Sequence, residues 1–75
     1  MKELLEAIAR ELVDEPRRVS VTESVEDGVH FFDLSVAPED RGRVIGRNGR
    51  TADALRALLD AVAAKRGLEC EVEIE

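Results

Sequence analysis

The sequence predicts an α+β fold in the order α-β-β-α-α-β, a three-stranded sheet packed against helices, over residues 1–75 as a single domain. Three observations predict it. The N-terminal stretch repeats its apolar residues at helical spacing. Two alternating runs flank Asp27-Gly28. A glycine-punctuated stretch, Val44-Ile45-Gly46-Arg47-Asn48-Gly49-Arg50, separates two helical segments, and a last alternating run follows them.

Lys2 to Asp14 carries Leu5, Ile8, Ala9 and Leu12 at i, i+3, i+4, i+7, an amphipathic helix widened by Leu4 and Val13. Pro16 ends it, because the residue before proline is biased away from helix. Arg18 to Val25 alternates, with Val19 and Val21 on one face and Ser20 and Thr22 on the other. Asp27-Gly28 suits a two-residue hairpin turn with φ > 0 at both centres. Val29 to Val36 returns, with Phe32, Leu34 and Val36 facing one way and Phe31, Asp33 and Ser35 the other.

Pro38 opens a short helix that runs to Val44 or Ile45, with Glu39 and Asp40 in its first turn to suit the dipole. Thr51 to Arg66 is the longer helix. Its expected core stripe is Leu55, Leu58, Leu59 and Val62, and Gly67 stops it. It also carries six alanines between Ala52 and Ala64. Some of them must lie outside the core stripe, as helix-forming filler or as a face for self-association. Leu68 to Glu75 alternates as a final strand, with Leu68, Cys70, Val72 and Ile74 inward and four glutamates outward.

A chain of 75 residues buries only about 60% of its unfolded surface, which leaves room for one core. With no Trp or Tyr and two Phe, that core is aliphatic. The net charge of -6 is unevenly spread: residues 1–40 carry -7, residues 41–66 carry +5 and residues 67–75 carry -4. The one basic segment contains the glycine pair. The overall acidity limits non-specific affinity for nucleic acid. A single cysteine has no intramolecular disulfide partner, which points to a reducing compartment. With no signal-peptide pattern and no apolar run near the roughly 18 residues of a membrane helix, a cytoplasmic location is expected.

The glycine loop carries the chemistry. Gly46 and Gly49 permit φ > 0 and close approach of a ligand backbone, and the following helix aims its positive end at the same place. Arg47 and Arg50 are the main phosphate contacts expected. Arg43 and Arg41 flank the loop, with Glu39 and Asp40 as competing ion-pair partners. Asn48 either donates to phosphate or occupies a left-handed turn. Thr51 either caps the helix or touches phosphate. Arg56 reads as a helix-face charge. No cofactor or metal is expected, since His30 stands alone and Cys70 reads as a small buried apolar residue. No nucleophile–base set is visible, so no enzyme is expected.

Set between two helices, with a hairpin upstream and a strand downstream, this stretch resembles the Ile-Gly-x-x-Gly signature of the K-homology (KH) domain. The element order is similar to its type II form, and the length and motif context to the small bacterial KhpA family. The resemblance spans essentially the whole chain. It implies single-stranded RNA binding, the loop gripping about four nucleotides of backbone. By position, Gly46, Arg47, Asn48 and Gly49 would form the clamp, and Val44 and Ile45 would line an aliphatic groove. It also implies an RNA chaperone or regulator that works as a homodimer or with a larger KH-containing partner (KhpB, also called Jag or EloR). The cellular processes implied are cell division, cell shape and cell-wall organisation. The main alternative is a protein scaffold with incidental RNA binding. A DNA-binding helix–hairpin–helix is disfavoured by its glycine spacing and its lack of strands, and a Walker nucleotide site by the absence of Gly-Lys-[Ser/Thr] after a strand.

Overall fold

A computed structural model describes residues 1–75. Helix α1 (Lys2–Leu12) leads into strands β1 (Ser20–Glu26) and β2 (Val29–Ser35). Helix α2 (Arg41–Ile45), helix α3 (Arg50–Lys65) and strand β3 (Glu69–Ile74) follow. Short 3₁₀ turns at Pro16–Arg18, Pro38–Asp40 and Arg47–Gly49 join them.

Helix α1 stops two residues before the predicted end. The N–H groups of Asp14 and Glu15 do not extend the helix. They donate instead to the two carboxylate oxygens of Asp40, at 3.2 and 3.0 Å. Val13 is already extended, with φ -101° and ψ 161°. The 3₁₀ turn at Pro16–Arg18 then delays the first strand to Ser20.

Strands β1 and β2 pair antiparallel, and Asp27 and Gly28 take φ of 51° and 79°, the positive pair the hairpin requires. Strand β3 pairs with β2 in parallel, giving the order β1-β2-β3. A parallel pair needs a long crossover. Helices α2 and α3 supply it, so the glycine loop is the apex of the connection between the two strands.

Phe32, Leu34, Leu5, Leu59 and Val44 are wholly buried at the centre of the core. On α3 the buried stripe is Ala52, Leu55, Leu59 and Ala63. The expected stripe is therefore corrected: Leu58 lies on the flank and is 42% exposed, Val62 is half-buried, and two alanines replace them. The small residues let α3 sit close to the sheet. Ala54, Ala57, Ala61 and Ala64 remain exposed around Leu58.

Leu68 also departs from its expected inward position. Its N–H donates to Ala63 O at 2.8 Å and the Gly67 N–H to Ala64 O at 3.1 Å. With Gly67 at φ 71°, these bonds close a Schellman cap. Leu68 is consumed by the cap and exposed, and the strand begins one residue later.

Candidate nucleic-acid interface

The loop is built from three positive-φ residues in four positions. Gly46 ends α2 at φ 77° and ψ 174°, a region only glycine occupies without strain. Its N–H closes α2 by donating to Gly42 O at 2.9 Å. Asn48 is left-handed at φ 56° and ψ 27°, and Gly49 follows at φ 74° and ψ 12° as the N-cap of α3. The Gly49 N–H donates to Gly46 O at 3.1 Å, so the turn is tied to itself.

The two glycines are needed for different reasons. A Cβ at Gly46 would lie 2.7 Å from Thr51 Cβ and 2.9 Å from its backbone nitrogen, with the hydroxyl nearer still. A Cβ at Gly49 would meet open space, so only its φ calls for glycine. Thr51 is thereby located. It makes no capping bond and packs its side chain against Gly46.

The other predicted residues divide by exposure. Arg47, Asn48 and Arg50 are exposed, and Ile45 is 36% exposed beside them. Val44 is wholly buried, so it supports the loop from inside the core rather than from a groove wall. Arg41, Arg47 and Arg50 form no ion pair. Arg43 does: its Nη2 lies 2.9 Å from Asp14 Oδ2 and its Nε 3.6 Å from Asp40 Oδ1. Of the two flanking arginines, then, Arg43 pairs with Asp40 and Arg41 stays free. Arg56 pairs with Asp53 at 3.6 Å and donates to Val72 O at 3.2 Å, which fastens α3 to β3.

Cations beside the N-terminus of a helix oppose its dipole. Arg47 and Arg50 crowd that end of α3, and no side chain caps it. An arriving anion reverses this penalty, because it meets the free arginines and the dipole together.

Helix α3 runs antiparallel to β3, so the seam between them leads away from the loop. It holds an open cleft of about 500 Å³ lined by Arg56, Asp60 and the β3 segment from Cys70 to Ile74. The Cys70 thiol donates to Asp60 Oδ1 at 3.6 Å. Burial first, then Asp60, pushes that thiol above its ordinary pKa, which favours the protonated form. Cys70 is half-buried rather than fully enclosed. His30 Nδ1 is taken up by Glu23 Oε2 at 3.0 Å.

Sequence reasoning gave Asp40 too small a part. It is 2% exposed and joins the end of α1 to the start of α2. Its partners lie 25 and 26 residues away, a distance at which no local pattern signals contact. Glu15 and Glu39 meet beside it. Their hydrogen bond, then desolvation and charge repulsion, raises the Glu15 carboxyl above its usual pKa.

The family model described as KhpA/KhpB, KH domain matches residues 2–74. This chain belongs to that KH-domain family. Among its relatives, the RNA-binding protein KhpA of Clostridium acetobutylicum is 47% identical over 74 residues, 99% of each chain. That of Treponema pallidum is 53% identical over 62 residues, 83% of this chain and 78% of the relative. That of Listeria monocytogenes is 43% identical over 74 residues, 99% of this chain and 97% of the relative. The family is non-enzymatic. The α+β architecture, with its three-stranded mixed sheet, is compatible with the type II KH fold. No helix is long and apolar enough to cross a membrane.

Proposed function

We propose that this chain binds single-stranded RNA by clamping its sugar–phosphate backbone at Gly46-Arg47-Asn48-Gly49. The observation that carries the reading is the set of unpaired arginines, Arg41, Arg47 and Arg50, around a glycine loop at the start of α3. The relatives named RNA-binding protein KhpA support it. Ile45 offers the aliphatic contact for a base. With no exposed Trp or Tyr to stack on, base preference is modest and affinity rests on phosphate contacts.

On this reading the protein is a cytoplasmic RNA chaperone or regulator, with links to cell division, cell shape and cell-wall organisation. It works as a homodimer or beside a larger KH protein of the KhpB kind. The exposed patch of Leu58 with Ala54, Ala57 and Ala61 favours a pairing face on α3. Two copies joined there raise affinity through effective concentration. A concentration-independent monomer mass in sedimentation would remove the homodimer. The scaffold alternative draws on the same patch: loss of function on disrupting that patch, with Arg47 variants unaffected, would select it.

The test is fluorescence anisotropy with a short single-stranded RNA at two salt concentrations. Wild type is compared with Arg47→Asp/Asn48→Asp, circular dichroism confirming that both fold. Salt-sensitive binding by wild type and its loss in the folded variant is the expected result. Equal binding by both overturns the clamp.

A further inference from the structure

Among the arginines near the loop, Arg43 is held by two carboxylates of unequal standing. Asp40 is buried and already accepts two backbone N–H groups, so its place does not depend on the guanidinium. Asp14 differs. Its side chain is 70% exposed, and its one polar contact is with Arg43 Nη2 at 2.9 Å. Its backbone N–H is tied to Asp40 Oδ1, which keeps the carboxylate within reach. An anionic oxygen at that distance from a guanidinium is where a phosphate oxygen would sit. Arg43 lies in the last turn of α2, four residues ahead of Arg47 with the Gly46 break between them.

We propose that Asp14 is a built-in competitor for phosphate: it occupies the outer edge of the Arg43 guanidinium and withholds that arginine from RNA. This rests on the RNA reading above. Asp14 thereby weakens backbone binding and confines it to the loop, because a strand extending past the loop must first displace a carboxylate. The contact is exposed, so displacement is cheap and the restraint is graded rather than absolute.

The experiment titrates the full chain with a short single-stranded RNA at several salt concentrations, using wild type, Asp14→Asn, Asp14→Asn/Arg43→Gln, Glu11→Gln and Arg47→Asp. Asp14→Asn keeps the backbone bond to Asp40. It is expected to bind about two- to five-fold tighter at low salt, with a salt slope steeper by about 0.7 as one more phosphate is neutralised. The gain should vanish in the double variant. Glu11→Gln removes the same charge from an exposed, unpaired site nearby and controls for long-range repulsion; it should give less than half the gain. Equal gains from Glu11→Gln and Asp14→Asn overturn the proposal, as does a gain that survives Arg43→Gln or an unchanged slope. Undiminished binding by Arg47→Asp would instead overturn the loop clamp, and binding by no variant would overturn both.

Discussion

The loop edge and the sheet are opposites in charge and in backbone. Residues 41–66 carry a balance of +5, and three of their arginines near the loop are unpaired. The three strands contain no lysine or arginine, and their acids are Glu23, Glu26, Asp33, Glu69, Glu71 and Glu73. Asp33 even sits opposite Glu73 in the parallel register, a like-charge pair that costs stability. The loop is held in conformations few residues adopt, whereas the strands are ordinary extended chain. On the proposed reading, the acidic sheet complements the loop, because it makes the approach of RNA over the strands unfavourable. Preference for the loop edge would then be a property of the whole charge distribution.

The largest effect comes from breaking the loop itself. Gly46→Ala puts a methyl group into Thr51 and forces a glycine-only conformation, at a cost of about 2–4 kcal/mol. RNA affinity should fall at least about tenfold, since the clamp geometry moves. Gly49→Ala meets only the φ penalty, about 1 kcal/mol, and should keep most of its binding. Chemical denaturation and RNA titration of the pair check this. Similar losses in both variants would mean that the Thr51 contact is unimportant.

Next is the post beneath the loop. Asp40→Asn leaves one of the two backbone N–H groups facing an amide donor instead of an oxygen, and should cost about 2 kcal/mol in denaturant unfolding. A loss below about 0.5 kcal/mol would show that Asp40 does not brace α2 against α1. A gentler probe reverses the sheet. Glu71→Lys/Glu73→Lys should strengthen RNA binding at low salt, and the added binding should persist when Arg47→Asp is introduced. If the added binding disappears with Arg47, sheet and loop are not separate surfaces.

Most of the fold was legible in the sequence, for identifiable reasons. The hairpin announced itself through Asp27-Gly28, and both residues have the φ the turn demands. The loop was legible because glycine and asparagine are the residues that tolerate its backbone. What stayed hidden was set by distance along the chain. Nothing near Asp14 signals that Asp40 will take its N–H, so the helical pattern in the sequence runs past the end of α1 at Leu12. The period of α3 identified a helix but not the exact facing of its stripe, which decides whether Leu58 or Ala63 is buried. The parallel pairing of β3 depends on where the helical crossover returns the chain, and strand alternation carries no direction. For the candidate site the sequence named the loop residues and Asp40 as a partner for a flanking arginine, and missed Asp14 and the two backbone N–H groups that Asp40 takes.

The smallest effect lies at the foot of the basic edge, where the Glu15 and Glu39 carboxyls face each other. The Glu15 carboxyl is raised first by hydrogen bonding to Glu39, then by desolvation and by the Glu39 charge. A raised acid holds its proton more tightly in the folded chain than in the unfolded one. Its contribution to stability is therefore complete below the ordinary carboxylate pKa and is lost as pH rises through the raised value. Above that point two carboxylates face each other, with only Arg18 lowering the strain. Glu39→Gln removes one charge and keeps a hydrogen-bonding group. The melting temperature of this variant should match wild type near pH 4 and exceed it by a small margin near pH 7, the gap opening through roughly the carboxylate range. Salt should narrow the gap, because the pair is exposed to solvent. A gap that stays constant across pH would mean that the two carboxyls do not share a proton. The foot of the basic edge would then be indifferent to pH.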